Sequence, residues 1–159
     1  MTDQPSSLEN PEILTVEEVP TAVIAGTVRM DELGSFYDRG FREVARVVEA
    51  QGMAPQGAPF GYYLSMPTET VDLEVGVVTE HPITAVGEVV ASTLPGGEVA
   101  HGTHVGPYEG LGGSYGALAG WIAQQGRQPG PVMWEVYTTE PGPDTDPSTL
   151  HTDLYWPLA

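Results

Sequence analysis

In the run Met133-Trp134-Glu135-Val136-Tyr137 a carboxylate stands among large apolar and aromatic side chains, with Pro131 before it and Pro141 after. Successive side chains of a strand point to opposite faces, so Glu135 shares a face with Met133 and Tyr137 while Trp134 and Val136 take the other. If Trp134 and Val136 pack beneath helices, Glu135 looks into a cleft beside an aromatic ring and a thioether. The plain alternative is a solvated glutamate on the wet side of an antiparallel sheet. Aligning the two halves of the chain puts Tyr63 at the position equivalent to Glu135, and Tyr155 lies on the strand face opposite Leu154 and Trp156. Together these residues would make an aromatic-walled pocket with one acid. Such a pocket suits flat lipophilic molecules and cations, which gain from ring faces and from a poorly screened carboxylate.

Three other groupings carry weaker chemistry. Gly112-Gly113-Ser114-Tyr115-Gly116 matches the G-x-S-x-G nucleophile elbow, and Asp144, Asp146 and His151 follow in the right chain order. The elbow needs its serine at a sharp strand-to-helix turn, whereas Ser114 falls within a helical stripe. Those glycines lower helix stability, which points instead to close approach of the helix to the sheet. His101 and His104 have H-x-x-H spacing, but in a strand residues three apart face opposite ways, so no shared metal is expected. The loop Pro141-Gly142-Pro143-Asp144-Thr145-Asp146 lacks the glycine and closing glutamate of a calcium loop. No cofactor is expected either.

The elements that must position these groups follow from periodicity. Residues 13 to 30, rich in β-branched side chains, read as one strand that bends or begins at an edge. Leu33, Tyr37, Phe41, Val44 and Val48 are spaced 4, 4, 3 and 4, an amphipathic helix ending at Gly52. Arg39, Arg42 and Arg46 mark its solvated side. Two strands follow, one beginning near Pro59 and one alternating Val71, Leu73, Val75 and Val77. The order then repeats: a strand over 96–106, a helix with Leu111, Tyr115, Leu118 and Ile122 that starts near Glu109 and stops at Gly126, and strands over 131–140 and 149–158. This predicts an α+β fold of two strand-helix-strand-strand repeats, residues 13–85 and 86–159. Their mainly antiparallel sheet would carry two helices on one face and a ligand cleft on the other. Residues 1–12, polar with two prolines, read as a flexible tail before a single domain.

Composition narrows the function. The 159 residues include 22 acids against five arginines and no lysine, a formal net charge of −17, so contact with nucleic-acid phosphates is disfavoured. Without cysteine there is no thiol nucleophile, disulfide or cysteine-ligated zinc. No leader and no membrane-length apolar run is visible, and the expectation is a cytoplasmic protein.

The segment from His104 through Gly126, the Trp134-Glu135-Val136-Tyr137 strand and the closing Pro157-Leu158 resemble the GyrI-like small-molecule-binding family, the AraC-type effector-binding domain. H-x-G-P-Y-E-x-L, a Trp-Ile pair and W-E-x-Y recur in family order over residues 97–159, whereas the first half is similar in layout. The resemblance implies one pseudo-symmetric domain with its ligand between the repeats. Glu135 would be the principal polar contact for cationic or polar-aromatic ligands, with Tyr137, Tyr63 and Tyr155 as walls. It also implies a stand-alone member of the family.

Three functions follow as expectations. The first is a binding module that senses or sequesters a lipophilic, aromatic or cationic molecule through Glu135, Met133 and the tyrosines. The second is a hydrolase of an electrophilic toxic molecule, with Glu135 as general base and Tyr137 or Tyr155 as hydrogen-bond donor. The third is an acidic protein whose surface blocks a basic partner such as gyrase.

Overall fold

The computed structural model describes residues 7–65, 68–106, 110–138, 146 and 149–159. Among these, one eight-stranded antiparallel sheet carries two helices. In chain order the elements are β1 (Ser7–Val16), β2 (Val19–Arg29), α1 (Leu33–Ala50), β3 (Phe60–Tyr63) and β4 (Thr70–Val78). The second half supplies β5 (Val90–Leu94), β6 (Gly97–Val105), α2 (Leu111–Gln124), β7 (Met133–Tyr137) and β8 (His151–Pro157). The strand order is β1-β6-β8-β7-β3-β4-β2-β5. The two halves meet at the β3–β7 pair, where Gly61 lies across from Glu135. This is the α+β, pseudo-symmetric arrangement that the repeats predict.

Each repeat also has a leading strand that crosses to border the other half. β1 precedes β2 in the chain but pairs with β6, and β5 precedes β6 but pairs with β2. The sequence reading missed both: residues 7–12 belong to β1 and not to a tail, and the stretch read as one bent strand divides at Glu17-Glu18. Pro11 and a register shift between Glu9 and Glu12, with Asn10 at φ 53°, break the alternation that would have marked β1. The expected helix start at Glu109 and the loop holding Asp144 lie outside the described residues.

α1 lies over β2 and β4. Its Val44, Val47 and Val48 pack on Val71, Leu73, Val75 and Val77, all buried, each worth about 1.5–3 kcal/mol of apolar burial. Gly40 is where this helix comes closest to the sheet, because a Cβ there would meet Val75 Cγ2 at 2.3 Å. α2 lies over β1 and β6, with Leu118 and Ile122 against Ala100, Leu154 and Trp156. Both helices stop in the same way. Gly52 and Gly126 adopt φ of 75° and 73°, and the amides that follow, Met53 and Arg127, return to the carbonyls of Val48 and Ile122. On the helix-free face a third cluster joins Phe60 and Trp134 to Val23, Leu94 and Val99. No helix among the described residues is long and apolar enough to cross a membrane.

Candidate functional site

Because α1 covers β2 and β4 while α2 covers β1 and β6, the central strands β3 and β7 floor a furrow between the helices. Side chains on the register row Gly61, Glu135 and Leu154 face the helices, so Glu135 rises into this furrow. The placement reverses one expectation. Trp134 and Val136 pack on the helix-free face, and the carboxylate lies on the same face as the helices. The reason is parity: Glu135 sits across from Leu154, a core residue beneath α2, and every second residue of β7 must follow it.

Glu135 is 3% exposed. Its Oε1 accepts from the Tyr137 hydroxyl at 2.6 Å and faces the Tyr63 hydroxyl at 3.4 Å. Its Oε2 accepts from Tyr115 of α2 at 2.8 Å. Tyr37 of α1 closes the network through a short contact to the Tyr63 hydroxyl and one of 3.1 Å to that of Tyr137. Five hydroxyl–oxygen contacts share four hydroxyl protons, so the 3.4 Å contact is the one left weakest when Glu135 is ionised. Phe41 extends the wall on the α1 side, its ring 6.1 Å from that of Tyr137.

Electrostatics follow from burial. Desolvation raises the pKa of Glu135, and the hydrogen bonds from Tyr137, Tyr115 and Tyr63 oppose it in part. Burial, reinforced by the Glu135 charge, pushes all four tyrosines well above their ordinary range, so they remain hydroxyl donors. No arginine or histidine pairs with Glu135 among the described residues. Among the described residues, the site is therefore a buried carboxylate held by neutral donors.

Gly61 makes this clustering possible. A Cβ there would lie 2.7 Å from the Tyr37 hydroxyl and 3.0 Å from that of Tyr137. Sequence reasoning placed Tyr37 and Tyr115 on the buried stripes of their helices without assigning them to the site. The available signal was a hydroxyl-bearing ring in each stripe. Gly61 carried no signal at all.

The remaining expected residues divide. Tyr63 and Tyr137 do meet Glu135, and Met133 shares their face but is buried against α2. Tyr155 does not join them. It stacks on Trp134 across the helix-free face, rings 5.3 Å apart and 11° from parallel, because Trp134 and Tyr155 are register partners on that side. Ser114 is buried inside α2 with Oγ 2.6 Å from His104 Nδ1, and His151 is exposed with Nδ1 2.8 Å from the Thr149 carbonyl, so among the described residues Ser114 meets His104 and lies within a helix and not at an elbow. His101 and His104 face opposite ways, as strand geometry requires: His101 lies between Glu12 and Asp153, and His104 points to α2. The glycines of α2 correct another expectation. Cβ atoms added at Gly112, Gly113, Gly116 and Gly120 would meet nothing within 4 Å, so helix–sheet contact does not require them.

Known proteins with this architecture support the reading of the fold. The chain superposes on the C-terminal domain of EcmrR with a TM-score of 0.81 at 15% identity, covering 94% of this chain and 97% of that one. It spans 58% of the EcmrR chain seen in complex with DNA. SAV2435, solved with tetraphenylphosphonium bound, matches with a TM-score of 0.68 at 12% identity over 94% of each chain. A hydrolase from Listeria innocua matches with a TM-score of 0.65 at 14% identity, covering 95% of this chain and 92% of that one. No curated protein matches in sequence. The family described as the GyrI-like small molecule binding domain matches residues 9–159, and the chain belongs to it.

Proposed function

We propose that this domain binds a lipophilic cation, or a polar aromatic molecule with a positive centre, in the furrow between α1 and α2, either to sense or to sequester it. The observation that carries the reading is Glu135: a carboxylate 3% exposed, held by tyrosine hydroxyls, with no cationic partner among the described residues. Burying such a group is costly, and a bound cation would supply the missing counter-charge. The rings of Tyr37, Phe41, Tyr115 and Tyr137 would bear the apolar part and offer π-faces to the charge. SAV2435 is seen with a cation of this kind, which is consistent with the same chemistry here.

The test is calorimetric titration with tetraphenylphosphonium and with a neutral aromatic of similar shape, on wild type and Glu135→Gln. The cation should lose about thirtyfold or more in affinity when the charge is removed, and the neutral molecule little. Equal losses for both would sink the counter-charge idea.

A hydrolytic reading uses the same residues: Glu135 as general base on water, Tyr115 or Tyr137 as donor to a developing anion. The raised pKa of Glu135 and the adjacent hydroxyls favour it. Against it, both carboxylate oxygens are already engaged. Time courses with electrophilic esters and epoxides decide: product formation abolished by Glu135→Gln supports an enzyme, and its absence leaves the binding module.

A further inference from the structure

Among the described residues, two adjacent positions of α2 make its side-chain hydrogen bonds to the sheet, and they reach different strands. The Ser114 hydroxyl lies 2.6 Å from Nδ1 of His104 on β6, and the Tyr115 hydroxyl donates to Oε2 of Glu135 on β7 at 2.8 Å. β8 runs between those two strands, which sets them roughly 10 Å apart. Bonds from neighbouring helical positions to either side of one strand fix the roll of the helix about its axis as well as its sideways place. The apolar contacts of Leu118 and Ile122 begin a turn further on and carry no direction of their own.

The start of α2 has little else to hold it in one pose. Gly110 precedes it with no side-chain cap, and Gly112, Gly113 and Gly116 weaken the helix at places where an added Cβ would touch nothing. Ser114 stands among these glycines as a buried hydroxyl, costly if unpaired, and His104 is fully buried beside it. Tyr115 follows directly in the chain. Its ring meets that of Trp156 edge-on, centroids 5.8 Å apart, and leaves the hydroxyl to find Oε2. A shift of α2 by less than about 1 Å would carry that hydroxyl beyond hydrogen-bond reach. Tyr137 and Tyr63 both face the other oxygen, Oε1, so neither replaces it.

We infer that Ser114 and His104 are positioning residues for the Glu135 site: their hydrogen bond sets the roll of α2, and through it the seat of the Tyr115 hydroxyl on Oε2. The bearing on ligand affinity rests on the function proposed above, whereas the bearing on the carboxylate does not.

The carboxyl carbon-13 resonance of Glu135, followed against pH in the full chain, reads that seat directly. Tyr37, Tyr63 and Tyr137, the other described titratable groups of the network, are unaltered in the variants. Tyr115→Phe removes a donor to the ionised carboxylate, so the midpoint should rise. Ser114→Ala, which places a better helix former in α2, should raise it too, and the double variant should rise no further than Tyr115→Phe alone. His104→Leu should act like Ser114→Ala, while His104→Asn, whose amide keeps a polar atom near the place of Nδ1, should return the midpoint toward the wild-type value. The acid limb of tetraphenylphosphonium affinity should move to higher pH in step with these midpoints. A Ser114→Ala protein that melts lower but titrates at the wild-type midpoint overturns the inference, and so does a shift that adds in full to that of Tyr115→Phe. If the wild type binds no tetraphenylphosphonium, the proposed function falls, and the carboxyl titration still decides the role of Ser114 and His104.

Discussion

Glu135 has hydroxyl donors on both oxygens and no cationic partner among the described residues, so its ionised form is stabilised less in the fold than in water. Its folded pKa is raised, which means that protonation favours the native state. The stability it contributes is full below the unfolded carboxylate value and is lost as pH climbs through the folded one. Melting curves of wild type and Glu135→Gln should therefore converge near about pH 4, with the variant becoming the more stable of the two toward about pH 8. Convergence in the opposite direction would contradict the burial argument. By the same sign, affinity for a permanently charged cation should fall on acidification. Tyr115 is the described donor to Oε2, so Tyr115→Phe should cost about 1–3 kcal/mol at neutral pH, and much less when combined with Glu135→Gln. Gly61→Ala tests the clustering itself. It should lower affinity for the cation through displaced Tyr37 and Tyr137 hydroxyls, while the same substitution at Gly34, where nothing lies within 4 Å, should not.

Among the elements, α1 and α2 were legible because each buries one continuous stripe, and their glycine stops recur in the structure as matching terminal motifs. β4 was legible for the same reason, with Val71, Leu73, Val75 and Val77 alternating into the core. The edge strands were not. β5 buries little beyond Leu94, and β1 breaks its own alternation at Asn10 and Pro11, so neither displays a period to read. The glycines of α2 offer a prediction at this scale. Gly113 and Gly120 have helical backbones and open space around the missing Cβ. Replacing each by alanine should stabilise the protein by about 0.4–1 kcal/mol, a rise in melting temperature of about 1–4 °C apiece. A fall would show that something in the native protein needs those positions bare.

Over the whole molecule, the acidic excess is only slightly offset. Arg29, Arg39, Arg46 and Arg127 each pair with a nearby carboxylate on the surface, which leaves little cationic surface to meet phosphates. Duplex DNA should therefore show no binding in electrophoretic assays even at low ionic strength, and a salt-sensitive complex would refute this. Local pattern determined the class of fold, the two repeats and both helices, and it marked Glu135 as a carboxylate out of place among apolar neighbours, because burial periodicity and turn chemistry are written in short stretches of chain. Which face of the sheet receives Glu135 was decided elsewhere. That depends on the registers joining β7 to β3 and β8, and a strand's own sequence does not record its partners. The same registers bring Gly61 and Tyr63 to Glu135 and send Tyr155 away. Tyr115 reaches the carboxylate, and Tyr37 the Tyr63 and Tyr137 hydroxyls beside it, only because two helices far apart in sequence lie on either side of β3 and β7, an arrangement that exists in the folded molecule and nowhere in the linear chain.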